Sequence, residues 1–178
     1  MSSRPIAYRN GVIAFEVPAS WVEEYEEDGG GVFYEDAADS GTLRLDVATL
    51  RAPEQADALA VARMLTEVAE VDPAAIETLE NGNVLARVQE QAEEDGQPVK
   101  LHWWYLGSAL APDILRLAVF SYTLPAIGGL NAAAELDSLD RTIRQARFLS
   151  TLAQGETVAE ADDAEEDWED EDWEENEP

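Results

Sequence analysis

The sequence predicts an α+β domain in which one antiparallel β-sheet is flanked by helices, an α/β/α-type sandwich, with a disordered acidic C-terminal tail. Three observations support this prediction. Short segments of alternating apolar and polar residues are separated by glycine-containing turns, two segments repeat apolar residues at helical spacing, and the last 23 residues contain 14 carboxylates and no cation. These patterns are typical of antiparallel strands, of amphipathic helices and of a chain that cannot form a core.

Turn signals divide the first part of the chain into strands. Asn10-Gly11 is the strongest of them and predicts that Ile6–Tyr8 pairs with Val12–Val17, whose apolar residues share one face. Further turns are predicted at Gly29-Gly30-Gly31, Asn81-Gly82 and Glu94-Asp95-Gly96. The segment 114–124 is apolar almost throughout, which predicts a central strand that is covered on both faces.

Two segments have the spacing of amphipathic helices. In the first, which follows Pro53, the predicted buried stripe is Ala58, Val61, Leu65 and Val68. In the second, Asn131 is the predicted N-cap, and the predicted buried stripe is Leu136, Leu139, Ile143 and Ala146. The C-terminal half of this second helix carries Arg141, Arg144 and Arg147. Cations in that position interact favourably with the helix dipole.

The charge distribution predicts where the domain ends. The 178 residues include 11 Lys and Arg against 39 Asp and Glu, a net charge of −28. This length suits one domain with an appendage. Residues 1–150 are predicted to fold, with a linker at 151–155, whereas the segment 151–178 is predicted to stay disordered because its like charges repel and it has few aliphatic side chains.

Composition also excludes several classes of function. The absence of cysteine excludes disulfides, thiolate metal sites and thiol nucleophiles, and the single histidine, His102, excludes a histidine-rich metal site. The net charge argues against binding to nucleic acid or to an anionic membrane, since both repel it. No apolar stretch is long enough for a secretory signal or a membrane span, so a cytoplasmic location is expected.

The glycine-rich and acidic turns do not match known ligand-binding loops. Gly29-Gly30-Gly31 lacks the following Lys-Ser/Thr of a phosphate-binding loop, and the acidic turns lack the ligand spacing of a calcium-binding EF-hand. Carboxylate pairs for acid–base chemistry cannot be singled out among so many acids. The sequence therefore predicts no catalytic, cofactor-binding or metal-binding residue.

The segment Ile13-Ala14-Phe15-Glu16-Val17-Pro18-Ala19-Ser20-Trp21 resembles the strand-Pro-x-x-Trp opening of PsbP-like and Ran-binding Mog-type domains. In those domains the strand ends at the proline and the tryptophan lies under the sheet. The resemblance extends over about residues 6–149 in element order, including the Gly-Thr-Leu-Arg-Leu strand at 41–45, and excludes the tail. It implies partner binding without bond-making chemistry, as in a photosystem assembly subunit, a Ran-binding protein and bacterial chaperones of type VI secretion effectors. No binding residue is transferred, because no site motif anchors the transfer.

The run Lys100-Leu101-His102-Trp103-Trp104-Tyr105 holds the first candidate site. Strand alternation places Lys100, His102 and Trp104 on one face and the other three residues on the opposite face. One tryptophan is then expected in the core and the other under a helix or at the surface, where an exposed Trp104 beside His102 would suit partner binding. Burial of both tryptophans in a sheet covered on two faces is the equal alternative. His102 could instead act as a general base. No Gly-x-Ser-x-Gly motif accompanies it, which favours a half-exposed strand histidine.

The tail contains a repeat that acidity alone does not explain. Glu166-Asp167-Trp168-Glu169 recurs as Glu171-Asp172-Trp173-Glu174. An exposed indole gains nothing in water, so Trp168 and Trp173 are predicted to anchor in a partner while the acids steer the tail to a basic surface. Alternatively, the tail folds back on Arg141, Arg144 and Arg147, or the repeat reflects compositional drift.

The resulting expectation is a non-enzymatic cytoplasmic protein-binding module, such as a chaperone or an adaptor for a secreted effector, with no cofactor. Its partner would be a protein with a basic or apolar surface, contacted through Trp104, His102, Trp168, Trp173, Arg141, Arg144 and Arg147. One alternative is an acidic immunity or inhibitor protein that neutralises a cationic toxin. A hydrolase that uses His102 is the third possibility.

Overall fold

The computed structural model describes residues 2–27, 29–37, 40–52, 55–94, 96–125, 132–149, 152 and 157–160. Within these residues the fold consists mostly of antiparallel β-sheet with two α-helices. The strands are β1 (Ser3–Tyr8), β2 (Ile13–Pro18), β3 (Val22–Tyr25), β4 (Gly31–Tyr34), β5 (Thr42–Arg51), β6 (Glu77–Thr78), β7 (Val84–Glu94), β8 (Gln97–Ala111), β9 (Ile114–Pro125), β10 (Arg147–Phe148) and β11 (Val158–Glu160). The helices are α1 (Ala58–Val68) and α2 (Ala132–Arg144).

Most of the strands form one large sheet in the order β3-β4-β5-β9-β8-β7-β6, and β11 is added to β5. The predicted central strand, β9, pairs with β5 on one side and with β8 on the other. Its alternate side chains enter two separate cores, with Phe120 and Tyr122 in one and Leu115 and Leu117 in the other. The sequence prediction that this strand is covered on both faces is therefore confirmed.

A second, three-stranded sheet contains β1, β2 and β10 and packs onto one face of the large sheet. The first hairpin pairs as predicted, with Ile6 opposite Phe15 and Tyr8 opposite Ile13. The prediction of a single sheet is wrong, because β2 has β1 on one edge and β10 on the other and so cannot pair with the large sheet. Alternation identifies the buried face of a strand, but it does not identify the strands that flank it.

Helix α2 lies on the same face as the small sheet, and its buried residues are those that the periodicity predicts. Leu139, Ile143 and the following Ala146 are buried in this core, and Leu136 is partly buried beside them. The predicted N-cap, Asn131, lies outside the described residues. Trp21 is buried in the same core, where its ring stacks on Tyr122 with centroids 6.1 Å apart.

Helix α1 packs on the opposite face, and its predicted stripe is only partly correct. Val61 and Leu65 are fully buried, whereas Ala58 is exposed and Val68 is 48 % exposed. The buried stripe continues instead to Ala69, because residues four apart stay close to one direction while Val68 is rotated about 60° from Leu65. Asp57 caps the helix by accepting a hydrogen bond from the Ala60 N–H at 2.8 Å.

The C-terminal part of the chain differs from the prediction of disorder throughout 151–178. Val158–Glu160 forms strand β11, which runs parallel to β5 with Val158 opposite Thr49 and Glu160 opposite Arg51. Strand β4 pairs with β5 only as far as Leu45. The edge of β5 beyond Leu45 is therefore available for pairing with β11. The other predictions for the tail concern residues beyond the described ones. Among the described residues, neither helix combines the length and the apolar character that a membrane span needs.

Candidate functional site

An open groove of about 610 Å³ lies between α2 and the edge of the large sheet formed by β7 and β8. We call it the α2 groove. Its lining residues are Arg87, Val88, Gln89, His102, Trp103, Trp104, Leu136, Asp137, Asp140, Arg141 and Arg144. Four of the seven residues that the sequence singled out, His102, Trp104, Arg141 and Arg144, therefore meet in one place although they come from two distant parts of the chain.

Strand register and helix periodicity together build this groove. Arg87 lies opposite Trp104 and Gln89 lies opposite His102 in the β7–β8 ladder, so these four side chains share one face of the sheet. Leu139 anchors α2 above that face, and its polar neighbours Asp140 and Arg141 lie along the groove. The outer edge of β7 pairs with β6 only at Val84 and Leu85, so within the described chain its remaining edge has no strand partner.

Asp140 is the centre of a polar network that joins α2 to the sheet. Its Oδ1 accepts hydrogen bonds from the Trp104 Nε1–H and from Arg87, both at 3.0 Å, and its Oδ2 accepts one from the Arg144 Nε–H at 2.7 Å. Burial alone would raise the pKa of Asp140, but the hydrogen bonds from Trp104 and Arg144 and the charge of Arg87 outweigh it. The pKa of Asp140 is therefore lower than usual.

Arg144 is held by two carboxylates. Besides its contact with Asp140, it forms a bidentate pair with Glu77, with both N–O distances at 2.9 Å. The hydrogen bonds to Glu77 and then to Asp140 raise the pKa of Arg144, and the same pairing lowers the pKa of Glu77. Because its donors face these carboxylates, Arg144 stabilises the wall of the groove and offers little to a partner.

Trp104 does not have the exposed indole that would suit partner binding. It is 4 % exposed, lies in the core beneath α2 and donates its indole N–H to Asp140. Trp103 is half-buried on the other face, where its ring stacks on Tyr105 at 6.2 Å, and its indole N–H has no hydrogen-bond partner in the described chain. The sequence left open which tryptophan is buried, and the position of α2 decides it.

His102 is half-buried and stacks on Trp104 with ring centroids 6.3 Å apart. Its Nε2 is shielded from solvent and forms no hydrogen bond with the described residues. Burial, with the nearby charge of Lys100 as a second cause, lowers the pKa of His102. No described hydroxyl or carboxylate is hydrogen-bonded to this Nε2, so the structure adds no support for the hydrolase hypothesis.

The three predicted arginines do not form one patch. Arg141 is exposed in the α2 groove, and no ion pair to it occurs among the described residues. Arg147 is exposed in a second cleft of about 770 Å³. Thr142, Gln145 and the hairpin that joins β6 to β7 also line this cleft. Arg144 borders both clefts. Trp168 and Trp173 lie outside the described residues, so the sites predicted for them stay predictions.

Among the lining residues that sequence reasoning missed are the two that complete the polar network of the groove, Asp140 and Arg87. The ion pair between Asp140 and Arg144 has the i, i+4 spacing of a helix surface and could have been found in the sequence. The hairpin register could have placed Arg87 opposite Trp104. The hydrogen bond from Trp104 to Asp140 depends on how α2 docks, and no local pattern contains that information.

Within the described residues, no cluster of three or more His, Asp or Glu side chains is arranged to hold a metal ion. The polar groups of the α2 groove are mainly hydrogen-bond donors on arginine and one imidazole. Such a donor set fits carboxylates or backbone carbonyls better than it fits a cation.

No family model matches the chain, and no curated protein matches it. The solved structures with a similar fold include the two that follow. One is the crystal structure of a protein from Bacteroides thetaiotaomicron VPI-5482, with a TM-score of 0.57 and 17 % identity over 84 % of this chain and 49 % of that one. The other is LpqN of Mycobacterium tuberculosis, involved in cell envelope biogenesis, with a TM-score of 0.56 and 12 % identity over 82 % of this chain and 89 % of that one.

These likenesses concern the fold alone, because both identities are low. The present chain spans about half the length of the Bacteroides protein, so that protein contains a large part without a counterpart here. Neither similarity identifies a partner, a substrate or a site residue.

Proposed function

We propose that this chain is a non-enzymatic protein-binding module of the cytoplasm, an adaptor or chaperone, with the α/β/α-type sandwich of the PsbP-like and Ran-binding Mog-type domains. Two helices on opposite faces of an antiparallel sheet, with Trp21 buried after the Pro18 turn, support the assignment to this fold. The residues that bind a partner are those of the α2 groove, with the acidic tail as a second contact.

The observation that carries the proposal is that the α2 groove contains two kinds of polar group. Some are held in place by hydrogen bonds within the chain, and others are unpaired and can bond to a partner. Asp140 accepts hydrogen bonds from Arg144, Arg87 and Trp104, which holds α2 in one position over the sheet. Arg141 and the open edge of β7 have no partner in the described chain. A rigid wall beside unpaired donors and acceptors suits the capture of an extended protein segment, which can add to a strand edge.

A photo-crosslinking experiment in cells of the source organism tests this proposal. A photoreactive amino acid replaces Gln89, whose exposed side chain lies in the groove. The matched control places it at Arg63, which is exposed on α1 on the other face of the sheet. We expect one partner to be crosslinked from position 89, and the charge reversal Arg141→Glu to reduce that adduct at least about tenfold.

The same adduct from both positions, or none from position 89, would contradict a role for the groove in binding. The charge reversal Arg63→Glu serves as the second control, since it changes the net charge by the same amount at a distant exposed site. A reduction of the adduct by both reversals would indicate a general charge effect rather than recognition at Arg141.

One observation favours the second candidate, an acidic inhibitor of a cationic protein. The net charge is −28, and half of it lies in the last 23 residues. Charge-driven binding would weaken steeply between about 0.1 M and 0.5 M salt, because the Debye length falls from about 10 Å to below about 5 Å over this range. Binding that persists in high salt and depends on the α2 groove would support the adaptor instead.

A further inference from the structure

The repeated acidic tryptophan motif is the feature of the sequence that the proposed function explains least. We propose that the α2 groove is a docking site for this motif, and that its occupant is the second repeat of the same chain, Glu171-Asp172-Trp173-Glu174. Docking within the chain needs no partner protein, and a partner that enters the α2 groove would first have to displace this repeat. The groove, the strand that precedes the tail and the spacing of the two repeats each support it.

The charges of the groove complement those of the tail. Three arginines line the groove, and Lys100 lies on the same sheet face next to His102. The carboxylates at the groove are Asp137, Asp140 and the Glu77 that pairs with Arg144, so four cations face three anions and the local charge is positive within a chain of charge −28. The carboxylate of Asp140 is already bonded to Arg87, Arg144 and Trp104. Arg141 therefore has its guanidinium available for a carboxylate of the tail, in which 12 of residues 161–178 are acidic.

The groove also provides surfaces that an indole can contact. The half-buried ring of His102 stacks on Trp104, and Leu136 on α2 is only partly buried beside them. An indole placed there would cover apolar surface of Leu136 and pack against the accessible part of the His102 ring. A glutamate or aspartate beside that indole would lie within the positive field of Arg141.

Strand β11 determines where the tail begins and how far it can reach. Glu160 lies opposite Arg51 on β5, and Trp104 lies three strands away at the level of Leu45. With about 4.8 Å between strands and 3.3 Å between residues, the straight line from Glu160 to Trp104 is about 25 Å. That line is blocked, because Arg116 donates hydrogen bonds to the Val12 and Leu149 carbonyls and so holds the small sheet over this part of the large sheet.

The tail must therefore follow a longer path, round the small sheet or round the edge of β7. The two repeats differ in whether they can reach the groove along such a path. Trp168 is eight residues beyond Glu160 and reaches about 26–29 Å when fully extended, which barely covers the straight line. Trp173 is 13 residues beyond Glu160 and reaches about 43–47 Å. The second repeat can follow an indirect path to the groove, whereas the first cannot.

Fluorine NMR of the full-length chain containing 5-fluorotryptophan tests the inference. The chain has five tryptophans, and Trp168→Phe and Trp173→Phe assign the two tail signals. A synthetic peptide of residues 161–178 provides the positions of the undocked signals. We expect Trp173 to be shifted from its peptide position by more than its linewidth and Trp168 to remain at its own.

The variant Arg141→Glu should return Trp173 to the peptide position, with the docked fraction reduced at least about tenfold. Arg63→Glu should leave it shifted. The signal of Trp21, which is buried against Tyr122 and does not line the α2 groove, reports whether each variant keeps its fold.

Three results would overturn the inference: a Trp173 signal that coincides with the peptide, a shift that survives Arg141→Glu, or a shift of Trp168 alone. A shift that grows with protein concentration would assign the groove to the tail of a second copy and would overturn docking within one chain. The sample contains no partner protein, so failure here leaves the crosslinking result unaffected, and failure of crosslinking leaves this result unaffected.

Discussion

The two helices cover opposite faces of the same sheet, and they are held there in different ways. Helix α1 packs through Val61 and Leu65, and among the described residues no side-chain hydrogen bond joins it to a strand. Helix α2 packs through Leu139 and Ile143 and is also hydrogen-bonded to its surroundings through residues near its C-terminus. Apolar packing stabilises both helices, but only the hydrogen bonds of α2 specify its direction and position.

The bonds of α2 reach three different elements. Asp140 joins it to the sheet, and Arg144 joins it to Glu77 of β6. The Thr142 hydroxyl accepts from the Glu16 N–H at 3.0 Å and donates to the Glu16 carbonyl at 2.8 Å, which connects α2 to the small sheet. This difference explains why the candidate site lies beside α2, since a binding groove needs walls that keep their positions.

Removing one apolar anchor from each helix should have the largest effects. Leu65→Ala and Leu139→Ala each remove a fully buried side chain and should lower the free energy of unfolding by about 2–5 kcal/mol, measured by urea denaturation. Only Leu139→Ala should also shift the NMR signal of the Trp104 indole N–H, because that group bonds to the neighbouring Asp140. Equal shifts in both variants would show that the two faces are coupled rather than independent.

A substitution at the point where α1 closely approaches β8 should lower the free energy of unfolding by a smaller amount, and its effect should be confined to the face of the sheet that α1 covers. A Cβ added at Gly107 would lie 2.5 Å from Val61 Cγ1, so Gly107→Ala must displace the Val61 side chain or the helix that carries it. We expect a loss of about 1–3 kcal/mol in unfolding free energy with the Trp104 indole signal unchanged.

Two controls distinguish this clash from other causes. Ser108→Ala, one residue further along β8 and on the opposite face, should have little effect. The same Gly107→Ala change should cost less in a Val61→Ala background, because the clashing Cγ1 is then absent. A cost that is identical in both backgrounds would contradict the packing explanation.

The smallest effect concerns Asp140 and depends on pH. Its pKa in the folded chain is below the usual value, so its ionised form stabilises the fold above the unfolded pKa of about 3.9, and this contribution is lost as the pH falls through the folded pKa. Asp140→Asn should lower the free energy of unfolding by on the order of 1 kcal/mol near pH 7. The difference from the natural chain should shrink as the pH falls from about 5 to about 2.

Asp137→Asn provides the matched control, because Asp137 lies on the same helix and has no hydrogen bond within the described chain. Urea denaturation of both variants at several pH values measures the effect. A constant difference between Asp140→Asn and the natural chain across this pH range would mean that the carboxylate charge is not what joins α2 to the sheet.

Local patterns in the sequence determined the faces of the strands, the hairpin at Asn10-Gly11, the double coverage of β9 and the buried side of α2. These features depend on residues two or four positions apart, which the chain places on one face whatever its surroundings. The candidate residues His102, Trp104, Arg141 and Arg144 were found in the same way, from the strand and helix on which they lie.

The tertiary structure alone decided the separation into two sheets, the pairing of β11 with β5 and the burial of Trp104. Each of these depends on which edge or face meets which partner, and such contacts join residues far apart in the chain. The acceptor of the Trp104 indole is 36 residues away, on α2. A hydrogen bond of this kind forms only once the helix has docked, so no pattern within either segment can reveal it.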